Sequence, residues 1–150
     1  MKQTPDDKRI EINLQPGTLS ADGFLGNDSR DVQSIIRADQ AVVDQLGLTH
    51  ELIAERLKQL TEMGKEGLGA PVHSGPLEIT VEDFRGRIFC PFRDRAFFGK
   101  RVTVCKDQTS GQSIRWSDLN VHMIEKHGFY EGQGSPFRVD PILVHQICFQ

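Results

Sequence analysis

Gly64-Lys65-Glu66-Gly67-Leu68-Gly69-Ala70-Pro71-Val72-His73-Ser74-Gly75-Pro76 holds four glycines and two prolines and separates two kinds of hydrophobic patterning. Both residue types interrupt regular structure, glycine through backbone freedom and proline through its fixed φ and missing N–H. Upstream, Thr49 is a helix cap, Ile53, Leu57 and Leu60 form an apolar stripe, and Gly64 can close the helix. Before it, Val32, Ile35, Ile36, Val42, Val43 and Leu46 recur at helical spacing up to Gly47, with Asn27, Asp28 and Ser29 as cap candidates. Asp39 interrupts this apolar side, and its burial would require a partner.

Downstream the period changes to two. Leu77-Glu78-Ile79-Thr80-Val81 and Arg101-Val102-Thr103-Val104-Cys105 alternate, while Arg87–Phe92 and Ser113–Trp116 supply two further strand-like pieces. Ser117 then caps a helix over residues 118–127 that ends at Gly128, and Asp140-Pro141 opens a short terminal helix. Near the start, Lys8-Arg9-Ile10-Glu11-Ile12-Asn13-Leu14 also alternates and predicts a strand over 8–14. The fold expected is α+β: a helical hairpin, with helices about 28–46 and 50–63, followed by a small antiparallel sheet with a packed helix. The expected division is a helical subdomain over 1–74 and a strand-rich one over 75–150, packed as one unit.

With 150 residues, 37% hydrophobic and 26% charged, the chain suits a folded domain, not a disordered one. It has no apolar run long enough for a membrane span, and its first residues lack the apolar core of a secretory signal, so a cytoplasmic protein is expected. Charge is uneven. Residues 1–83 carry 15 acidic and 8 basic groups, residues 84–150 carry 6 and 10, giving −7 and +4 for the two parts. Phe84–Arg101 concentrates the positive excess, with Arg85, Arg87, Arg93, Arg95, Lys100 and Arg101 among five phenylalanines and a single acid, Asp94. Guanidinium groups beside aromatic rings can neutralise phosphates and stack on bases, so this strip is a candidate nucleic-acid or anion contact. An acidic protein partner is the alternative.

Residues 42–64 resemble a bacterial helix-turn-helix segment of the winged-helix kind. The resemblance rests on Leu46, Gly47, Leu48 and Thr49 at the turn and on Ile53 six positions after the glycine. It implies a DNA-reading second helix presenting His50, Arg56 and Lys58, with Gly64–Val81 in the place of a wing. A plain helical hairpin joined by the same turn is the other reading of these residues.

Cys90, Cys105, His122 and His127 are ligand types of a zinc site, so a small Cys/His metal-binding module is a third possibility. Spacing argues against it. Fourteen residues separate the two cysteines, and residues 122 and 127 lie about 140° apart on an ideal helix. On that wheel His127 sits with Leu119, Met123 and Ile124, opposite His122, Asp118 and Glu125. The expectation is therefore no bound metal, no cofactor, and three free thiols, with Cys148 the third.

No catalytic residue is assigned, because the chain lacks a phosphate loop, a dinucleotide fingerprint and a nucleophile elbow. The glycine-spaced stretch Gly128–Arg138 is a candidate ligand loop through Tyr130 and Arg138. These features point to a non-enzymatic binding or regulatory protein with nucleic acid as its first partner class.

Overall fold

The computed structural model describes residues 4–149. Its elements are α1 (Pro5–Asn13), α2 (Val32–Gln45), α3 (His50–Lys65), β1 (Val72–Ser74), β2 (Leu77–Phe89), β3 (Phe97–Asp107), β4 (Ser113–Ser117), α4 (Asp118–His127) and α5 (Pro141–Cys148). The strands form one antiparallel sheet in the order β1-β2-β3-β4. The chain is thus α+β, with three helices before the sheet and two after it. None of the described helices is long and apolar enough to cross a membrane.

Capping chemistry sets the helix starts. Thr49, Ser117 and Asp140 each accept a backbone N–H through the side chain, and Pro141 occupies the first turn of α5, where its missing N–H costs nothing. The expected strand over 8–14 is instead α1. Thr4 and Asp7 close a reciprocal capping box around Pro5, and Ile10 and Leu14 stand one turn apart facing the core. Three apolar residues in alternation cannot outweigh that start signal. The piece expected at 77–81 and the first half of the one expected at 87–92 are one long β2, bent where its register against β3 shifts between Phe84 and Arg87; Cys90, Pro91 and Phe92 lie beyond the strand, in the turn.

α3 lies against the sheet and fills the main core. Ile53, Leu57 and Leu60 meet Ile79, Cys105, Ile114 and Trp116. Gly64 is required for this approach: a Cβ there would stand 2.6 Å from Val81 Cγ2 and 2.7 Å from Ile79 Cγ2. Inside, the Trp116 indole N–H donates to Thr61 Oγ1 at 2.9 Å, and the Thr61 and Thr103 hydroxyls share a 2.7 Å bond, which satisfies every polar atom of the contact.

A second apolar cluster joins Leu14, Phe24, Val32 and Ile35 to Leu119, Met123 and Phe129 of the α4 region and to Cys90. Asp39 has the partner its burial requires. Arg138 grips it with two nitrogens, each at 2.9 Å, and also donates to the Glu131 carbonyl at 2.7 Å. The ion pair ties α2 to the loop after α4.

Candidate metal centre

The turn joining β2 to β3 brings four ligand-type side chains into one cluster. Cys90 follows β2, Asp94 lies in the turn, and His122 and His127 come from α4; one potential ligand atom from each lies within 4.8 Å of every other. Both imidazoles aim Nε2 at the same atom, Asp94 Oδ2, at 2.6 Å for His122 and 2.7 Å for His127. The expectation that these histidines face opposite environments therefore fails. A helical wheel locates backbone positions, whereas the distal nitrogen of a last-turn imidazole can swing round the helix end, beyond which no further turn stands in its way.

Several local features hold this arrangement. Gly128 adopts the left-handed conformation, φ +63°, and its N–H bonds the Ile124 carbonyl, ending α4 directly after His127. A side chain at 128 would also meet the His50 ring, since a Cβ there would lie 2.8 Å from Nε2. Phe92 stacks on His127, with 4.4 Å between centroids and 10° between planes, and Phe98 lies 5.0 Å from the His122 ring. On the turn side, Arg93 and Arg95 both have left-handed backbones, φ +63° and +66°, flanking Asp94. Two left-handed non-glycine residues, one on each side of Asp94, cost about 1 kcal/mol each or more. Between them Asp94, itself exposed, turns one carboxylate oxygen to the two imidazoles, and its other oxygen accepts the Ala96 N–H at 3.0 Å.

The electrostatics suit a cation. Burial and the neighbouring Asp94 carboxylate push the Cys90 thiol up to about 12, outweighing a bond from the Phe92 backbone. Burial opposes ionisation of Asp94 too, but bonds from His127, the Ala96 N–H and His122 hold it well below the usual carboxylate range. A divalent ion at the centre would stabilise both anionic ligands. Tetrahedral zinc bonds of about 2.0–2.3 Å place ligand atoms about 3.3–3.7 Å apart, so the cluster needs shifts of about 1 Å to enclose the ion. Sulfur, two imidazoles and a carboxylate are all accepted zinc donors.

Cys105 is not part of this centre. Its side chain is buried in the main core beside Cys148, between the paired positions Ile79 and Ile114. The fourth ligand-type side chain of the cluster is Asp94, which sequence reasoning missed because a lone carboxylate inside a basic strip carries no metal signal of its own. Asp118, His122 and Glu125, which share one side of the helical wheel, have separate partners: Asp118 lies 3.6 Å from Arg101, Glu125 holds Lys58 at 2.8 Å, and His122 turns to Asp94.

The other candidate residues divide into engaged and open groups. His50 is half-buried, bonded to the Tyr130 hydroxyl at 2.8 Å and to Gln40 at 2.6 Å, and burial lowers its pKa. Arg56 donates to the Cys148 carbonyl and Lys58 pairs with Glu125. Tyr130 is fully buried and Arg138 is committed to Asp39, so the two loop candidates serve the interior. On the hairpin, Arg101 is paired with Asp83 and Asp118, and Arg93 leans toward Asp6 at 3.7 Å. Arg85, Arg87, Arg95 and Lys100 are exposed and make no ion pair among the described residues. The same loop buries Glu131 between the Asn120 amide and the Ser135 hydroxyl, each at 2.6 Å, and burial pushes its carboxyl up to about 7. No family model, curated protein or solved structure matches the chain.

Proposed function

We propose that this protein is a zinc-stabilised, non-enzymatic binding module in which one ion fastens the β2–β3 turn to the end of α4. The observation that carries this reading is the convergence of Cys90, Asp94, His122 and His127, from two chain segments, within 4.8 Å of one another. Four protein ligands complete a tetrahedral shell and leave no open position for a substrate, which is the signature of a structural and not a catalytic zinc. Without the ion, the buried thiol is neutral and the two imidazoles share one carboxylate oxygen. With it, Cys90 contributes a thiolate, Asp94 a negative charge and the imidazoles their Nε2 lone pairs.

The partner-facing part of the module is the hairpin whose turn the ion would hold. Elemental analysis of protein purified without added chelator tests the reading. About one zinc per chain is expected in the unaltered protein, and well under a tenth of that in a Cys90→Ser, His122→Ala double variant. Equal zinc content in the two proteins, or none in either, overturns it.

A further inference from the structure

The outer end of the β2–β3 hairpin leaves large aromatic rings in water. Phe89 is 54% exposed and Phe97 is 48% exposed, although they are cross-strand partners that could have turned to the core. Their neighbours Ile88 and Phe98, the adjacent pair in the same register, do pack inward beside Leu119 and Met123. The Phe89 and Phe97 rings stand 5.5 Å apart, and the Arg87 guanidinium lies 5.2 Å from the centroid of Phe97. A cation thus already lies over one ring of the pair, that of Phe97.

Around it the charge is mostly positive, with Asp6 beside Arg93 and Asp83 beside Arg101. Arg85, Arg87, Arg95 and Lys100 have no carboxylate partner among the described residues, and the single acid between Phe84 and Arg101 is Asp94, whose carboxylate is turned to the two histidines. The turn that carries Asp94 places Arg93 and Arg95 on either side of it, both exposed. Exposed rings beside guanidiniums without counter-ions make a surface that stacks planar groups and neutralises a polyanion.

We infer that this face binds single-stranded nucleic acid, with bases stacking on Phe89 and Phe97 and phosphates meeting Arg85, Arg87 and Arg95. Duplex is disfavoured because its bases are already stacked on one another and cannot reach the rings. An acidic protein segment would satisfy the cations but would leave the aromatic pair unexplained. The inference rests on the metal reading in that the ion would hold the turn carrying Arg95.

The test uses the full chain and a fluorescein-labelled oligothymidylate of roughly fifteen nucleotides, read by anisotropy as salt is raised from about 50 mM. Zinc content is measured on the same preparation. Saturable binding that weakens steeply with salt is expected. Phe89→Ala with Phe97→Ala should lower affinity about tenfold or more and keep the salt slope. Arg87→Gln with Arg95→Gln should lower affinity similarly and reduce the slope of log K against log salt by about 1.4, from two lost phosphate contacts. Both variants alter exposed side chains, and melting curves verify that they fold. Zinc-loaded protein that does not bind overturns this inference alone; binding by zinc-free protein overturns the metal centre alone; absence of both overturns both. Tighter binding to the matching duplex, tighter binding to polyglutamate, or unchanged affinity in both variants also overturns it.

Discussion

Removing the ion should destabilise the fold by an amount that grows with the free zinc concentration, and the chain path gives its scale. A zinc bound by Cys90 and His122 closes a loop of about 32 residues, and a cross-link of that span restricts the unfolded chain by about 3.7 kcal/mol in the loop-entropy relation. A stabilisation of that size corresponds to free zinc at about 500 times the dissociation constant. For a chain of this length, 1 kcal/mol moves the melting temperature by about 2–4 °C, so zinc should raise it by about 7–15 °C over the chelated protein. The informative variant is Cys90→Ser. Cys90 is 4% exposed, and burial keeps its thiol neutral in the metal-free protein, so a hydroxyl of similar size changes little there. Differential scanning calorimetry in chelator should place this variant within about 3 °C of the parent, whereas zinc should lift the parent alone. An equal lift in both proteins, or no lift in either, refutes the reasoning.

The large elements were legible because each is announced locally and reinforced by packing. Thr49 with the stripe Ile53, Leu57, Leu60 gave α3, Ser117 and Gly128 bounded α4, and alternation in Leu77–Val81 and Arg101–Cys105 gave the central strand pair. Residues 8–14 misled because Ile10, Ile12 and Leu14 fit a strand of period two, while Ile10 and Leu14 alone also fit one turn of helix. The deciding signal was Thr4-Pro5-Asp6-Asp7, a capping box that lies ahead of the apolar run. The metal cluster was half visible. Residue type marks Cys90, His122 and His127 in the sequence, but it marks Cys105, the nearest downstream cysteine, equally, whereas the fourth ligand-type side chain in the cluster is an aspartate four residues after Cys90. No periodicity marks Asp94; its role follows from a turn held left-handed on both sides, a backbone property that arginine at 93 and 95 conceals. Likewise the composition of the basic strip could not separate Arg101, paired with Asp83 and Asp118, from Arg87, which is not paired. Strand neighbours and helix ends decide that, and they come together only in the fold.

Arg138→Ala should destabilise the protein by about 3–5 kcal/mol, since it leaves the buried Asp39 carboxylate without its two-nitrogen partner; a double variant with Asp39→Asn should recover much of the loss in urea unfolding. Gly128→Ala should lower both stability and zinc occupancy, because a Cβ at φ +63° is strained and would press on the His50 ring while displacing the helix end that carries His127; calorimetry and metal content read the two effects. Glu131 gives the pH dependence. Its carboxyl is pushed from an ordinary value of 4.5 up to about 7 by burial, so the folded chain binds this proton more tightly than the unfolded one. Stability from this group is complete below about pH 4.5 and declines as pH rises toward 7, because the native state must then either hold a buried charge or keep a proton that the unfolded chain releases. A gap of about 2.5 units corresponds to about 3 kcal/mol between the two ends of that window. Glu131→Gln keeps an acceptor for the Asn120 amide without the titration, so its stability, followed by urea unfolding between about pH 5 and 8, should lack this component of the slope. If the parent and the variant change in parallel across that range, the buried carboxyl is not the group that the fold holds protonated.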